Sequence, residues 1–344
     1  MKHKTLITSR IITRQMITLL VIVFFNLHAK AQGIKEPIQA IPFDKIEIIT
    51  TKVSPNFYVM TGSANSDPGH PEGAGGRLGV FIGPEGAFMV DGQYGPLTEK
   101  VVAAIKKLAV APIRFLVNTH EHPDHTGGNP NYARLGTVII SREETREALA
   151  LPLPPLVAAA IGNAASNTDP LRLPTLTFGS TGTLKIYLNG ETIDLIPVVA
   201  AHTDGDCMVR FEQEDIIMIG DFYRNYGFPF IDGQHGGNFA GVIAAVDTLY
   251  NIAGPNTKLI PGHGTIVTRE ALIPYRDMIT DIQQQVRKLI AAGKTRPEVL
   301  AANLTAPYDS KVPGGTTKLP AGLGTSSDRF VGAMYDELKN NIKK

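Results

Sequence analysis

Between His120 and His125 the chain places three histidines and one aspartate within six residues, directly after an apolar, strand-like run, Ile113–Val117. This stretch constrains the fold more than any other. The run leads through the motif into Thr126-Gly127-Gly128, so the imidazoles sit on a loop at a strand end, where side chains from several strands can converge. Neutral imidazole and carboxylate oxygen are the donors that a borderline ion such as Zn²⁺ prefers. A core without a metal would have to find a partner for each of these groups. The fold must therefore deliver further ligands to the same edge.

The remaining histidines supply them. Of the nine in the chain, His3 and His28 fall in an apparent leader and three belong to the motif. His202 lies in Ala201-His202-Thr203-Asp204-Gly205-Asp206, and His263 in Ile260-Pro261-Gly262-His263-Gly264. Asp221 closes the run Ile216-Ile217-Met218-Ile219-Gly220. Each falls where a buried strand releases its last residue, and five histidines with two aspartates suffice for two ions with positions open to water. His70 and His235, in glycine-rich loops, read as surface histidines, and Asp91, after Phe88–Val90, as a structural turn carboxylate. The single cysteine, Cys207, reads as a small buried hydrophobe.

Taken in order, these elements resemble the metallo-β-lactamase superfamily: HxHxDH, a histidine in an HTxGD turn, an apolar strand ending in Gly-Asp, then PGHG. The resemblance covers residues 43–275 and implies an α/β fold, an αββα four-layer sandwich, with a C-terminal helical extension over 276–344. It implies that His120, His122 and His202 hold one Zn²⁺, that Asp124, His125 and His263 hold a second, and that Asp221 bridges them. The implied reaction is hydrolysis of a small carbonyl compound by water activated as hydroxide, with Asp124 orienting it and passing a proton to the leaving group.

Two details of the motif separate branches of that family. Redox di-iron relatives usually carry Glu where this chain has His122, which favours zinc hydrolysis. An iron-dependent oxidoreductase on the same fold, resembling a sulfur dioxygenase, is the alternative, with iron or manganese as the other metals. Asp221 stands where one class of β-lactamases has cysteine and another lacks a ligand. An aspartate there looks more like glyoxalase II, lactonases and general hydrolases, so lactone or ester cleavage ranks ahead of β-lactam cleavage. The aromatic loop Phe222–Phe230 offers Tyr223 and Arg224 to a substrate carboxylate or oxyanion.

The first 31 residues read as a secretory signal peptide. Lys2, Lys4, Arg10 and Arg14 precede an apolar core, Met16–Phe25, and Ala29-Lys30-Ala31 gives a cleavage site before Gln32. That core is well short of the roughly 20 residues that span a bilayer, so a cleaved, periplasmic or secreted protein without a stable membrane span is expected. Cleavage removes five basic residues and no acidic ones, taking the formal net charge from +1 to −4. The other lysines and arginines are scattered, and nucleic-acid binding wants a basic stripe. A small-molecule substrate is the expected partner.

Along the rest of the chain, strands are expected at Ile46–Ile49, Asn56–Met60, Arg77–Ile82 and Ala87–Val90, with Gly83-Pro84-Glu85-Gly86 as a hairpin turn. Leu97–Leu108 has helical spacing and C-terminal lysines. A second strand series covers Leu184–Leu188, Glu191–Val199, Cys207–Glu212, Asp215–Ile219 and Lys258–Ile260. Helices are expected at Phe239–Ile252, Glu270–Ala292 and Ser327–Ile342, and a loop over Thr305–Thr325. Leu151–Pro174, with its alanine-rich patch, reads as a surface insertion or a wall of the site.

Overall fold

A computed structural model describes residues 41–63, 75–153, 155–164, 167–318 and 324–341. The expected leader, its cleavage site and His70 lie outside the described residues. Strands β1 (Ile48–Lys52), β2 (Phe57–Gly62), β3 (Leu78–Gly83), β4 (Gly86–Val90), β5 (Ile113–Val117), β6 (Val138–Arg142) and β7 (Leu176–Phe178) form one sheet in sequence order. Its first four strands are antiparallel, with Gly83 opposite Gly86 across the expected hairpin turn, and β4 to β7 are parallel. Strands β8 (Leu184–Leu188), β9 (Glu191–Pro197), β10 (Cys207–Phe211), β11 (Ile216–Met218) and β12 (Lys258–Ile260) form the second sheet. Only β12 runs parallel to its neighbour there.

The helices, in chain order, are α1 (Thr98–Leu108), α2 (Pro123–Thr126), α3 (Asn129–Arg134), α4 (Glu143–Leu149), α5 (Pro155–Ala160), α6 (Phe239–Ile252), α7 (Leu272–Ala291), α8 (Arg296–Ala301) and α9 (Ser326–Asn341). The long ones are amphipathic, and their apolar stripes decide where they lie. In α1, Val101 and Ile105 are buried against Val80, Met89 and Leu116 on the outer face of the first sheet. On the outer face of the second sheet, Val242 and Leu249 of α6, Ile282 and Val286 of α7, and Phe330 and Met334 of α9 meet Ile217 and Leu259. The expected boundary at 275/276 falls within α7.

The two inner faces meet around Phe211. Phe57, Phe81 and Phe88 from the first sheet lie 4.8, 5.7 and 5.8 Å from its ring centre. Such aromatic pairs add roughly 0.5–1.5 kcal/mol each beyond area burial, and here they lock the sheets face to face. The result is an αββα sandwich. Strands β6 and β7 are two that the sequence pattern did not bring out. The strand expected over Glu191–Val199 stops at Pro197; Val198 still gives its N–H to the Asp206 carbonyl, and the chain then enters the loop that carries His202. No helix among the described residues is long and apolar enough to cross a membrane.

Candidate metal centre

The C-terminal ends of β4, β5, β9, β11 and β12 all open onto one edge of the sandwich, and the expected ligands follow them. After β5 come His120, His122, Asp124 and His125, the last two in the single turn of α2. After β9 comes the loop with His202, after β11 Asp221, and after β12 His263. Parallel pairing of β4 with β5 and of β11 with β12 is what puts these ends on the same side.

The side chains gather into two triads. His120, His122 and His202 form one, and Asp124, His125 and His263 the other, each with donor atoms within 4.8 Å of one another. His202 Nε2 is 3.0 Å from His122 Nδ1, and His263 Nε2 is 3.1 Å from Asp124 Oδ2. Asp221 lies between the triads: Oδ2 is 3.3 Å from His263 Nε2 and 4.0 Å from His202 Nε2, while Oδ1 is 3.5 Å from His125 Nε2. All seven residues expected from the sequence thus converge on one volume.

The donor set fits a cation. His120 Nε2, His125 Nε2 and Asp221 Oδ1 are buried with no hydrogen-bond partner among the described residues. Each such buried atom costs roughly 1–3 kcal/mol, and a metal ion would satisfy all three. The walls are cut to the same space. A Cβ at Gly262 would sit 2.1 Å from Asp221 Oδ1, and one at Gly76 would sit 2.2 Å from His125 Cε1.

Four of the five histidines are oriented by a partner on the other ring nitrogen, as metal ligands commonly are. Asp91 Oδ2 accepts from His125 Nδ1 at 2.8 Å, Asp232 Oδ2 pairs with His122 Nε2 at 2.9 Å, and the Phe230 carbonyl accepts from His202 Nδ1 at 2.7 Å. Thr119 Oγ1 is 3.1 Å from His120 Nδ1 and itself donates to Asp91. The turn Asp91-Gly92-Gln93 is held in the left-handed region at both Asp91 (φ 64°) and Gln93 (φ 60°). Such backbone is costly and persists at sites that need it. Here Gly92 N–H reaches the His125 carbonyl at 2.6 Å, and the Gln93 side chain donates to the Gly76 carbonyl.

Burial and mutual charge set the protonation of the cluster. Burial alone would lower His125, but Asp124, Asp91 and Asp221 push it up to about 10. His122, also disfavoured by burial, is raised to about 9 by the Asp232 hydrogen bond. His202 falls to about 3 through burial and the neighbouring His122, and His120 falls through burial and the ring of histidines around it. Burial would raise Asp221, yet His263 and His125 bring it down to about 2. Positive and negative groups thus compensate one another across the two triads.

Two buried arginines of the first sheet brace the ligand loops of the second. Arg77 donates to the Pro261 carbonyl at 2.9 Å and to the Gly264 carbonyl, on either side of His263. Arg142, at the end of β6, donates to the Val198 and Asp204 carbonyls at 2.7 and 2.8 Å, gripping the His202 loop, and pairs with Glu144 at 2.7 Å. Asp206 closes that loop by accepting from the His202 and Thr203 N–H groups.

The other sequence candidates are placed differently. The Tyr223 ring is buried in the outer core against Tyr275, 4.6 Å away, rather than beside the ligands. Arg224 is buried close enough to Asp221 for its charge to help lower that carboxylate. His235 is half exposed and bonds Asp232 at 2.7 Å, extending the line from His122 to the surface. Cys207 is buried, as expected of a small hydrophobe. Asp91, expected as a turn carboxylate, does hold a turn, and that turn orients a ligand. Asp232 carried no signal in the sequence.

Sandwich and triads together define an αββα protein with two His/Asp groups able to hold metal. The sequence pattern of the metallo-beta-lactamase superfamily matches residues 74–294, and the chain belongs to that superfamily. A metallo-beta-lactamase from Pontibacter korlensis superposes with a TM-score of 0.53 at 19% identity, over 67% of this chain and 99% of that one. A metallo-beta-lactamase from Hirschia baltica gives 0.52 at 19%, over 67% and 96%. The metallo-beta-lactamase FIM-1 from Pseudomonas aeruginosa, solved in a mono-zinc form, gives 0.52 at 18%, over 67% and 93%. At these identities the likeness is one of fold.

Proposed function

We propose that the protein is an exported, dinuclear zinc hydrolase that cleaves a small carbonyl compound, a lactone or ester ahead of a β-lactam amide. The observation that carries this reading is the pair of triads joined by Asp221, with three buried donor atoms left for metal. His120, His122 and His202 would hold one ion, Asp124, His125 and His263 the other, and Asp221 both. Bound zinc supplies Lewis acidity and lowers the pKa of a coordinated water from about 15.7 to about 7.

The chain's own residues set direction and proton traffic. The His122 and Asp124 side chains are each 17% exposed, whereas His120, His125 and His202 are sealed, so substrate approaches over His122 and Asp124. Asp124 Oδ2 lies 3.1 Å from His263 Nε2, and the Asp124 carboxylate would pass a proton to the leaving group. Asp91 and Asp232 hold His125 and His122 in place meanwhile. Arg224 is available to a substrate oxyanion. The leader directs the protein to the periplasm or outside the cell.

The test is turnover of a lactone, a simple ester and a β-lactam by the zinc-loaded protein, with a His122→Ala control. Lactone or ester cleavage lost in the control supports the reading, and β-lactam opening alone would reverse the substrate order. Silence on all three, with bound iron and oxygen consumption, would sink it.

A further inference from the structure

Resting on the hydrolase reading, we infer that Arg329, on the C-terminal helix α9, joins Arg224 in a two-arginine subsite that binds a free carboxylate of the substrate. The guanidinium of Arg329 lies 4.1 Å from the centre of the Phe230 ring. That ring stacks on His122, 5.9 Å away at an interplanar angle of 19°, and lies 5.4 Å from His202. One aromatic ring therefore separates Arg329 from two members of the first triad, of which His122 is partly open to solvent.

Neither arginine is used up by the protein. Arg224 spends its Nε on the Tyr226 carbonyl at 3.1 Å, and Arg329 Nε is buried with no partner among the described residues. No carboxylate of the described residues forms an ion pair with either. Arg224 is nevertheless buried, and the two charges feel each other: burial and then Arg224 pull Arg329 down to about 10. Two like charges without a counterion repel, and an anion between them would reverse the sign of that interaction. With its Nε occupied, Arg224 retains its two Nη groups, whose parallel donors match the two oxygens of a planar carboxylate.

Helix α9 fixes Arg329 from both sides. Three residues before it, Ser326 Oγ accepts from the Phe228 N–H at 2.9 Å. One residue after it, Phe330 stacks on Phe228 at 5.6 Å and 11°. Both contacts fall on the loop that follows Asp221, so the arginine is docked on the wall of the site rather than free in solvent. This helix lies beyond residues 74–294 that match the superfamily, which makes Arg329 a specificity residue contributed from outside the shared domain.

Glutarate, titrated by calorimetry into the zinc-loaded protein, tests the subsite. Wild type should bind it saturably, Arg329→Gln at least tenfold more weakly, and Arg329→Lys at least threefold more weakly because the planar fork is lost. Lys288→Gln, an exposed charge control on α7, should stay within twofold. In parallel, the ratio of kcat/KM for monomethyl glutarate over dimethyl glutarate should fall at least tenfold in Arg329→Gln. Should that variant fail to fold by thermal melting, Arg329→Lys decides, and undiminished affinity there overturns the subsite. Wild-type affinity in Arg329→Gln, or no glutarate binding by wild type, also overturns it. If neither ester is cleaved but glutarate binding still depends on Arg329, the hydrolase reading fails and the subsite stands. Ester cleavage with binding indifferent to Arg329 removes the subsite alone.

Discussion

Asp91 and Asp232 do the same job on opposite sides of the metal centre, and their surroundings differ sharply. The Asp91–His125 pair is sealed, with side-chain exposures of 1% and 0%. The Asp232–His122 pair sits at the rim, at 14% and 17%, and continues through His235, which is 47% exposed. In the buried pair water cannot replace a lost hydrogen bond; at the rim it can. His125 is therefore set by the core, and His122 is left adjustable from solvent. The arginine braces divide the same way, since Arg142 holds the His202 loop in the triad of His122 while Arg77 holds the His263 turn in the triad of His125.

Four substitutions break or sharpen this contrast. Arg142→Met should have the largest effect, about 3 kcal/mol of stability by chemical denaturation, because it strands Glu144 and the carbonyls of the His202 loop. Asp91→Asn keeps the shape but removes the charge behind His125, and zinc affinity by chelator competition should drop up to about 100-fold. Asp232→Asn should cost about tenfold in the same assay, the lower end of that range. An equal loss in the two would mean that exposure is not what separates the pairs. His235→Gln should change zinc affinity by no more than about threefold, since it touches Asp232 from the solvent side. A larger loss would make the surface histidine part of the site.

The seven residues that converge in the two triads and between them could be picked out of the chain because each is a metal-ligating residue type placed just past an apolar run. Ile113–Val117 and Lys258–Ile260 were recognisable as strands for the same reason, being short, apolar and closed by turn residues. The residues that orient the ligands were less visible. Asp232 and Phe230 act through a side-chain carboxylate and a backbone carbonyl brought in by a loop, and no local pattern marks either. Arg77 and Arg142 look like ordinary strand-end arginines until the second sheet is placed against the first. Strand β7 escaped because two of its three residues are exposed and it has no alternating face. Tyr223 shows the opposite error, an aromatic next to a ligand that turns into the core.

Both arginine braces reach from the first sheet across to loops of the second, over 184 residues of chain for Arg77 and 62 for the Asp204 contact of Arg142. Neither half of the sandwich can present its ligands correctly by itself. The metal centre is in that sense a gauge of sheet docking. A sliding of one sheet on the other that left every strand intact would still spread the two triads apart, and release of a bound metal would report it before any secondary structure melted.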